Sequence, residues 1–495
     1  MRLKDVAELL ITGRLIGDGE TELTGIETDS RSISEGQLFI CLRGHTVDGH
    51  LFAPQAAAAG ASALIVEREL DLPLPQIIVR DCRLALAVFA NLFYGYPSHS
   101  LKLIGVTGTN GKTTTTYLIE HILNDQRMST GVIGTIERRF NGQSFPMTST
   151  TPQSLQLQRY LSEMRDAGSQ YCTIEVSSHA LEQGRVMGCR FRTAVFTNLT
   201  QDHLDYHETM GRYAAAKGLL FSRLGNVYSA EESERSYAVL NADDAISAEY
   251  AELTAAEVVT YGIDKEADVR ASNIRITAQG TTFHVNTFRG EADVTLQMAG
   301  KFNVYNALAA ISAVLIEGVE LAAIAASLRA IPGVPGRVEA VHAGQAFAVI
   351  VDYAHTPDGL ENVLRAVRQF AGKRILCVFG CGGDRDRSKR PLMGNIAVKY
   401  ADYAIITSDN PRTEPPEFIL KDIEDGLIKS NIDPSSYELL ADRKSAIQKA
   451  VEMASPGDVV LIAGKGHETY QDINGVKYPF DDRKVAKEAI RGIIH

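Results

Sequence analysis

The chain has 495 residues, of which 45% are hydrophobic and 22% charged, so it is long enough for about three domains of ordinary globular composition. Asp and Glu (61) outnumber Lys and Arg (50), and the formal net charge of -11 argues against a protein that binds nucleic acid. An acidic protein can still have one positively charged pocket that binds a small ligand with a phosphate group.

The N-terminus and the cysteines bear on the compartment. The first residues, MRLKDVAELL, predict a short amphipathic helix, in which Asp5 and Glu8 interrupt the apolar stretch that a secretory signal needs. No run of roughly eighteen apolar residues follows, so we expect no membrane span or membrane partner. The six cysteines are scattered without a CxxC pair, which favours buried, reduced thiols over zinc or disulfides. These features predict a soluble cytoplasmic protein.

The chain order of strands and helices predicts an α/β fold with three domains. Residues 1–98 alternate short strands with Ala-rich helices, and the Pro- and Gly-containing segment 94–100 predicts a linker. Strands then alternate with helices in a central P-loop domain over 99–332, with a mostly parallel sheet and antiparallel hairpins at about 258–299. After a second boundary at IPGVPGR (331–337), repeated strand–helix units predict a Rossmann-like C-terminal domain over 333–495.

The strongest local motif is GTNGKTT at 108–114, directly after the apolar strand LKLIGV and at the start of a helix. Glycines let backbone N–H groups approach phosphate oxygens, and the helix N-terminus adds positive potential. We expect Lys112 to reach the terminal phosphates and Thr113 to bind Mg²⁺. The usual P-loop has a glycine where this chain has Val106, but the strand–loop–helix order favours an ATP or GTP site over a chance Gly-rich turn.

Three side chains further along are candidates for a metal site. Glu175 ends the strand YCTIEV, where a carboxylate can complete the oxygen shell of Mg²⁺, and His203 lies in NLTQDHLDYH. Taken alone, the first would more often be a structural acid and the second an ordinary loop histidine. Lys217, in YAAAKGLLF, is a surface lysine on spacing alone. If it is semi-buried, its pKa falls, and a neutral amine can react with CO₂ to give a Mg²⁺-binding carbamate.

Strand ends in the C-terminal stretch supply the other candidates, because open α/β sheets bind ligands at the carboxyl ends of their strands. Asp352 and His355 lie in VDYAHTPD, and three further motifs follow: CGGDRDRSKRP, SDNPRTEPP and AGKGHE. Planar guanidinium groups recognise carboxylates bidentately, which favours a substrate with several carboxylates over a solvated basic loop. The cations concentrated here are Arg385, Arg387, Lys389, Arg390 and Arg412.

Seven blocks in order resemble the Mur ligase family, the ATP-dependent amino-acid ligases of peptidoglycan synthesis, over essentially the whole chain. They are TGTNGKTT, EVSSHAL, NLTQDHLDYH, the AK of YAAAKGLLF, GKFNVYNALAA, PGRVE and DYAHTPD. Within the family, GCGGDRD, SDNPR and GKGHE resemble the members that add meso-2,6-diaminopimelate to UDP-N-acetylmuramoyl-L-alanyl-D-glutamate through an acyl phosphate. The resemblance implies ATP as co-substrate, Mg²⁺, a monomer and an N-terminal domain that holds the UDP-sugar.

The resemblance also implies roles for individual residues. The expected ATP contacts are Gly108, Thr109, Asn110, Gly111, Lys112, Thr113, Thr114, Thr115, Asn303, Arg337 and Asp352. The expected contacts to the UDP-muramoyl dipeptide are Ser30, Gly44, His45, Thr46, Thr150, Thr151, Ser177, Gln183 and Arg185. Those to diaminopimelate are Arg385, Asp409, Asn410, Pro411, Arg412, Gly464 and Glu468. The implied catalytic residues are Lys112, Glu175, His203 and a carbamylated Lys217, of which the last three join Thr113 as Mg²⁺ ligands.

Other functions stay open at this point. A lysine-adding ligase differs at the Arg412 pocket, since diaminopimelate carries one carboxylate more than lysine. A folylpolyglutamate synthetase shares the ATP half but needs neither the N-terminal domain nor the DNPR block. A P-loop regulatory switch leaves the basic C-terminal cluster without a role, and the net charge of -11 and the lack of Trp disfavour a nucleic-acid-binding ATPase.

Overall fold

The computed structural model describes residues 1–44, 47–226, 229–277 and 280–494. His45 and Thr46, two predicted contacts to the UDP-sugar, lie outside the described residues. The chain divides into two compact units, each described below by itself. The first contains residues 1–105, 128–194 and 227–236, and the second contains 106–127, 195–226 and 237–495.

Strands and helices alternate along nearly the whole chain. The first hundred residues hold α1 (Leu3–Ala7), β1 (Arg14–Ile16), β2 (Gly25–Glu27), β3 (Gln37–Ile40), α2 (Ala53–Ala58), β4 (Ala63–Val66), β5 (Gln76–Ile78) and α3 (Cys82–Phe93). The middle stretch holds β6 (Lys102–Thr107), α4 (Lys112–Asp125), β7 (Thr130–Ile133), β8 (Glu137–Phe140), β9 (Gln143–Pro146), α5 (Ser154–Asp166), β10 (Tyr171–Glu175), α6 (Ser178–Glu182), β11 (Phe191–Phe196), α7 (Leu204–His207), α8 (Met210–Ser222), β12 (Tyr237–Asn241), α9 (Ser247–Leu253), β13 (Glu257–Gly262), β14 (Val269–Thr277), β15 (Gly280–Thr287), β16 (Gly290–Leu296), α10 (Lys301–Ile316) and α11 (Leu321–Ala330). The last stretch holds β17 (Glu339–Ala340), β18 (Ala348–Asp352), α12 (Pro357–Arg368), β19 (Ile375–Phe379), α13 (Lys389–Tyr400), β20 (Tyr403–Ile406), α14 (Pro416–Lys429), β21 (Tyr437–Leu439), α15 (Arg443–Met453), β22 (Val459–Ala463), β23 (Tyr470–Ile473), β24 (Val476–Pro479) and α16 (Asp482–Ile494).

In the first unit, the N-terminal residues form a five-stranded sheet in the order β1-β5-β4-β3-β2, parallel except for β1. Successive side chains of a strand point to opposite faces, so each strand serves two cores. Leu38 and Ile40 of β3 pack in the core that includes residues of α1 and α3, while Phe39 packs in the core that includes residues of α2. Both faces are covered, as the predicted α/β alternation requires.

In the second unit, β12, β13 and β14 are parallel neighbours, and β14, β15 and β16 continue as an antiparallel meander. The antiparallel hairpins expected at about 258–299 are therefore present from β14 onward. Helix α10 packs against α4, and its side chains from Ala307 to Ile316 are buried all round, as in a helix that is covered on every side. This packing holds the helix that follows the GTNGKTT loop.

The C-terminal residues of the second unit form a six-stranded sheet in the order β17-β18-β22-β19-β20-β21, parallel except for β17. Residues of α12, α13 and α14 pack on one face, and residues of α15 and α16 on the other. Strands buried on both faces read as continuous apolar runs, which is why VVLIA and ILCVF were predictable from the sequence. The predicted α/β fold class is confirmed.

Two findings bear on the expected compartment. Within the described ranges, no helix is long and apolar enough to cross a membrane. The six cysteines are all free; five are buried and Cys189 is half-buried. Burial raises the pKa of the Cys377 thiol to about 12, so this group stays protonated and unreactive at neutral pH.

Candidate active site

The loop between β6 and α4 has the tight packing that a phosphate-binding turn needs. Gly108 (φ 148°) and Gly111 (φ 85°) adopt backbone conformations that L side chains rarely adopt. A Cβ atom on Gly108 would collide with Thr197 Oγ1, and one on Gly111 would collide with Asn306 Oδ1. The two glycines of the motif are therefore required by both conformation and space.

Residues that follow β11 hold this loop from outside. The Thr109 N–H donates to the Asn198 carbonyl (2.8 Å), and the Asn110 N–H donates to Asn198 Oδ1 (2.9 Å). The Thr109 hydroxyl donates to the Thr200 carbonyl (3.1 Å). Thr113, Thr114 and Thr115 are buried in the first turns of α4. These hydrogen bonds fix the loop backbone at Thr109 and Asn110.

Two lysines meet at one carbonyl of the loop. Lys112 Nζ donates to the carbonyls of Gly108 (2.9 Å) and Thr109 (2.8 Å), and Lys217 Nζ also donates to the Gly108 carbonyl (2.9 Å). Lys217 is buried, with its Nζ 4.4 Å from the centre of the Tyr213 ring. Burial, and then the positive charge of Lys112, lower the pKa of Lys217 well below its usual range. Lys217 is therefore not the surface lysine that its spacing alone suggests.

A cavity of about 500 Å³ opens over the loop within the second unit, and Arg337 and Asp352 line it. Arg337 donates to the hydroxyl of Thr113 (3.1 Å) and lies over the Tyr353 ring, 4.5 Å from its centre. Asp352 accepts hydrogen bonds from the N–H groups of Val338 (2.7 Å) and Ala354 (2.8 Å). Burial raises the pKa of Asp352 even though Arg337 acts in the opposite direction. Arg337 and Asp352 therefore line the same cavity as the loop residues Asn110, Gly111 and Thr113.

The predicted ATP contact Asn303 lies inside α10. Its amide donates to the Ala299 carbonyl (2.9 Å), and its side-chain oxygen accepts from Asn306 Nδ2 (3.2 Å). Asn306 lines the cavity. Asn303 therefore contacts the wall of the cavity through Asn306.

Asp358 is a cavity residue that the sequence analysis missed. Its Oδ2 accepts hydrogen bonds from Asn110 Nδ2 (2.6 Å) and from the Thr200 hydroxyl (3.1 Å). Burial raises the pKa of this carboxyl despite the hydrogen bonds. Asp358 is the last residue of the DYAHTPD block, which the sequence analysis quoted without selecting this residue.

His203 has a left-handed backbone (φ 55°), and its Nε2 lies 3.3 Å from Asp202 Oδ2. Burial disfavours the charged form of Asp202, but the charges of His203, His355 and Lys389 outweigh it, so the pKa of Asp202 is lowered. The sequence analysis did not select Asp202. The structure shows an anion beside the predicted metal ligand.

A second cavity, of about 620 Å³, lies in the first unit. Ser30, Gly44 and Gln183 line it together with Arg31, Arg43 and Arg83, so three predicted contacts to the UDP-sugar dipeptide share it with three arginines. The Ser30 hydroxyl donates to Gln55 Oε1 (3.1 Å). Arg43 and Arg83 were not predicted as site residues, and each was one arginine among many in the sequence.

Glu175 lies in the first unit, at the end of β10. Its carboxylate accepts hydrogen bonds from the Thr135 N–H (2.8 Å) and hydroxyl (3.0 Å), and the Thr135 hydroxyl also lies 3.0 Å from that of Thr150. A Cβ atom on Gly134 would collide with this carboxylate. The Glu175 side chain is thus held in one orientation.

The remaining predicted dipeptide contacts form a connected set in the first unit. The Thr151 hydroxyl donates to the Glu175 carbonyl (2.7 Å) and accepts from the Ser177 N–H (3.1 Å). Arg185 donates to the Thr151 carbonyl (2.8 Å) and to Gln183 Oε1 (2.7 Å). These hydrogen bonds join Thr151, Ser177, Gln183 and Arg185 in one set, and their contact with the dipeptide stays a prediction.

The SDNPR and GKGHE motifs meet at the carboxyl ends of β20 and β22. Asn410 Nδ2 donates to Glu468 Oε2 (2.8 Å), and the buried Lys465 Nζ donates to the same oxygen (2.8 Å) and to Asn410 Oδ1 (3.0 Å). Asp409 is buried, and among the described residues its Oδ2 has no hydrogen-bond partner. Burial opposes ionisation of Asp409, but Lys465 and Arg443 outweigh it and lower the pKa. The lowered pKa favours the carboxylate form of Asp409, whose Oδ2 is itself buried.

Arg412 lies at the edge of the same pocket, half-buried, with a left-handed backbone (φ 52°). Its Nη1 donates to the Gly383 carbonyl (2.6 Å), and a Cβ atom on Gly382 would lie 2.8 Å from that nitrogen. A Cβ atom on Gly383 would collide with the Pro411 carbonyl. Because these two positions are glycines, the CGGD segment can approach the SDNPR segment closely. Arg385 is exposed on the neighbouring loop.

The predicted basic cluster divides into two groups. Arg390 is buried and pairs with Glu414 and Asp422 (2.7 Å each), and Arg387 pairs with Asp422 (2.9 Å). Lys389 donates to the His355 carbonyl (3.0 Å). The interpretation of all five cations as one anion site is therefore wrong for Arg387 and Arg390, because acidic residues of the protein already neutralise them.

The hairpin β23–β24 is a further part of this pocket that the sequence analysis missed. Gln471 Nε2 donates to the Asp409 carbonyl (2.7 Å). A signal was present in the sequence, because Asn474-Gly475 lies between two short runs with strand character, and Asn-Gly favours a two-residue hairpin turn. The buried Lys465 lies inside the GKGHE motif, which the sequence analysis quoted without selecting this residue.

Three protein-family models match the chain in this order. The Mur ligase family catalytic domain matches residues 22–94, the Mur ligase middle domain matches 106–314, and the Mur ligase glutamate ligase domain matches 336–466. The chain belongs to the Mur ligase family.

Individual members of the family are similar over nearly the whole chain. The UDP-N-acetylmuramoyl-L-alanyl-D-glutamate–2,6-diaminopimelate ligase of Bacillus cereus is 51% identical, with 99% of each chain covered. The enzyme of the same name from Geobacillus kaustophilus is 53% identical, with 96% of each chain covered. A solved structure of a ligase with this name is 35% identical, with a TM-score of 0.70 and coverage of 100% of this chain and 99% of that one.

Proposed function

We propose that this Mur ligase is an ATP-dependent enzyme that joins meso-2,6-diaminopimelate to UDP-N-acetylmuramoyl-L-alanyl-D-glutamate in peptidoglycan precursor synthesis. The observation that carries the proposal is the identity of 51% and 53%, over almost complete chains, to two ligases named for these substrates. The geometry of the site supports it, since a phosphate-binding loop and a pocket with an arginine and an unpartnered carboxylate oxygen lie in one unit.

We assign the ATP phosphates to the loop from Gly108 to Thr115 and to the cavity over it. The backbone N–H groups of the first turn of α4 and the Lys112 ammonium supply positive potential there. Arg337, held against Thr113 and Tyr353, adds a second cation at the cavity wall. We assign Asp352 and Asn303 to the same site, the first at the cavity and the second through its hydrogen bond with Asn306.

Mg²⁺ fits the chemistry of the residues near the loop. The Thr113 hydroxyl and a carbamate on Lys217 would supply the oxygen ligands that this ion prefers, with His203 as a further ligand. The buried, low-pKa amine of Lys217 supports carbamylation, because only the neutral amine reacts with CO₂. Bound Mg²⁺ would neutralise negative charge on the phosphate groups. Glu175, in the first unit, stays a predicted fourth ligand.

The UDP-sugar dipeptide is assigned to the first unit. Its cavity of about 620 Å³, with Arg43 and Arg83 in the lining, suits an anionic nucleotide sugar. The connected set of Thr150, Thr151, Ser177, Gln183 and Arg185 is assigned to the peptide part of this substrate.

Diaminopimelate is assigned to the pocket between SDNPR and GKGHE. Asp409 and Glu468 are acceptors for an ammonium group, and Arg412 is a bidentate partner for the second carboxylate, which lysine lacks. Leaving such a group without its partner costs a few kcal/mol, about 2–5 kcal/mol for a buried charge pair, so lysine should be rejected strongly. Arg385, Asn410, Pro411 and Gly464 complete the assigned pocket.

The reaction has two chemical steps. A D-glutamyl carboxylate oxygen attacks the γ-phosphorus of ATP; the bond from that phosphorus to the bridging oxygen breaks, leaving ADP and an acyl phosphate. The diaminopimelate amine then attacks the acyl carbon, loses a proton, and the tetrahedral intermediate expels inorganic phosphate to leave an amide. Lys112 and Arg337 stabilise the charge that develops on the transferred phosphoryl group.

The proposal extends to organisation and location. We propose that residues 1–98 bind the UDP-sugar, 99–332 bind ATP and 333–495 bind the amino acid. ATP and UDP-activated sugars are cytoplasmic metabolites, which supports a cytoplasmic enzyme, and the family resemblance favours a monomer.

The test is phosphate release and tripeptide formation from ATP, Mg²⁺ and UDP-N-acetylmuramoyl-L-alanyl-D-glutamate, with meso-diaminopimelate and L-lysine compared in parallel. Turnover with diaminopimelate alone supports the proposal. Turnover with lysine instead keeps the ligase activity and overturns the assignment of Arg412. If the protein hydrolyses ATP at the same rate with and without either amino acid, the result favours a P-loop regulatory switch over a ligase. Lys112→Met is the matched negative control, since it removes the loop ammonium and keeps the side-chain length.

A further inference from the structure

The hairpin β23–β24 is a separate two-stranded sheet beside the diaminopimelate pocket. Its turn, Asn474 (φ 52°) and Gly475 (φ 76°), has the two positive φ angles of a type I′ turn. The Gly475 N–H donates to Asp472 Oδ1 (3.1 Å), which braces the turn from its own strand. An isolated two-stranded hairpin has little stability in water, so its attachment to the pocket fixes its position.

The hairpin binds the backbone of Arg412 on both sides. The Arg412 N–H donates to the Asp472 carbonyl (3.0 Å), and the Asn474 N–H donates to the Arg412 carbonyl (2.7 Å). Arg412 thereby pairs with Ile473 as a parallel bridge, a single residue added to the edge of the hairpin. Its left-handed backbone is unfavourable for a residue with a side chain. The two hydrogen bonds offset this cost.

The hairpin also holds the two residues that precede Pro411. Gln471 Nε2 donates to the Asp409 carbonyl (2.7 Å), and the Asp472 N–H donates to Asn410 Oδ1 (2.9 Å). Asn410 is in turn hydrogen-bonded to Glu468. Two consecutive residues of β23, Gln471 and Asp472, and the turn residue Asn474 thus bond to three of the assigned diaminopimelate residues.

We propose that the β23–β24 hairpin sets the amino-acid specificity of the enzyme, by holding Arg412 and Asp409 in the positions at which they meet the far carboxylate and the ammonium of a diamino dicarboxylic acid. This inference rests on the proposed function. Gln471 and Asn474 are positioning residues; they act on the substrate through Asp409 and Arg412. Loss of the hairpin contacts weakens selection for the second carboxylate and leaves the ATP-dependent half-reaction intact.

The experiment compares Gln471→Met and Asn474→Pro with the full-length wild type. The first variant removes one donor at nearly constant side-chain size. The second removes the N–H that binds the Arg412 carbonyl and also disrupts the turn, because proline fixes φ at about −65° where Asn474 has φ 52°, so it tests the hairpin as a whole. Val476→Thr is the matched control. Val476 lies on the same hairpin and is 51% exposed, and threonine keeps the β-branched shape of valine. We measure KM and kcat for diaminopimelate and lysine, and separately trap the acyl phosphate with hydroxylamine in the absence of amino acid.

In Gln471→Met, KM for diaminopimelate should rise about fivefold, the factor given by one ordinary hydrogen bond, and it should rise further in Asn474→Pro. The preference for diaminopimelate over lysine should fall in both, with hydroxamate formation and KM for ATP unchanged. An unchanged preference in both variants, or an equal loss of hydroxamate formation, would overturn the inference. If the wild type itself shows no diaminopimelate-dependent turnover, the proposed function fails first, and the two failures are distinct.

Discussion

A buried ion pair beneath the amino-acid pocket offers a sharp test of the energetics. Arg443, the first residue of α15, and Asp482, the first residue of α16, are both fully buried and bonded at two points (2.6 and 2.8 Å). Arg443 also donates to the carbonyls of Ala463 (3.0 Å) and Ser408 (3.3 Å), at the ends of the strands that carry GKGHE and SDNPR. The guanidinium therefore joins two helices and two pocket loops.

Asp482→Asn removes the anion that is bonded to Arg443 and leaves the buried guanidinium only the more distant charges of Asp409 and Glu468. Removing one partner of such a pair costs about 3–5 kcal/mol. At about 1.4 kcal/mol per factor of ten, the opening equilibrium of the surrounding structure should rise roughly 150- to 4,000-fold. The measurement is hydrogen exchange of peptides that cover β22, since exchange reports local opening without assuming that the whole chain unfolds in one step.

The double variant Arg443→Met, Asp482→Leu separates the charge from the packing. Replacing both partners with apolar residues of similar size should recover much of the protection, because neither member of the pair is then left buried without its bonded partner. Lys449→Met is the control for an exposed pair; its contact with Glu438 should be worth less than about 1 kcal/mol. Exchange in Asp482→Asn at the wild-type rate, or a double variant as damaged as the single one, would refute the reasoning.

Three further outcomes are expected. Removing CO₂ and bicarbonate should lower turnover and added bicarbonate should restore it, while Lys217→Met should lose roughly 10²-fold or more and not respond, since no carbamate can form; phosphate release measures both. Gly111→Ala should weaken ADP binding by roughly tenfold or more in calorimetry, because its positive φ and lack of space both oppose a Cβ, whereas Gly492→Ala, with open space around it, should bind ADP normally. Burial opposes ionisation of Asp458, but its contacts with Arg374 outweigh it and lower the pKa. This carboxylate therefore stabilises the fold above the unfolded pKa of about 3.9, and the contribution is lost as pH falls through the folded pKa. Asp458→Asn should flatten the acid limb of the melting temperature below about pH 5.

Features that depend on neighbours in the sequence were predictable. The strand–glycine–helix order located the loop at Gly108–Lys112, because strand periodicity, turn glycines and a helix start are each local properties. Apolar runs located β18, β19, β20 and β22 for the same reason. The hairpin turn at Asn474-Gly475 belongs to this class too, and the pattern was present although it was not used.

Features that depend on pairs distant in the chain were not predictable. The hydrogen bond between Asn110 and Asp358 joins residues 248 positions apart, and nothing near Asp358 indicates its partner. The burial of Lys217 is of the same kind, since its neighbours in α8 are compatible with a surface helix or a buried one. Composition and periodicity describe single segments, whereas these contacts exist only after the segments pack.

Arg390 and Arg412 show why the pocket could not be defined from charge alone. Both lie in short segments with acidic residues nearby, and the sequence gives no basis for treating them differently. Packing places Glu414 and Asp422 on Arg390, which uses its charge inside the protein. In the part of the chain that the structure describes, Arg412 forms no ion pair, and its bonds are to backbone atoms. The lack of an acidic partner among the described residues, and not the number of arginines, is therefore what sets Arg412 apart from Arg390 as the candidate for binding a substrate carboxylate.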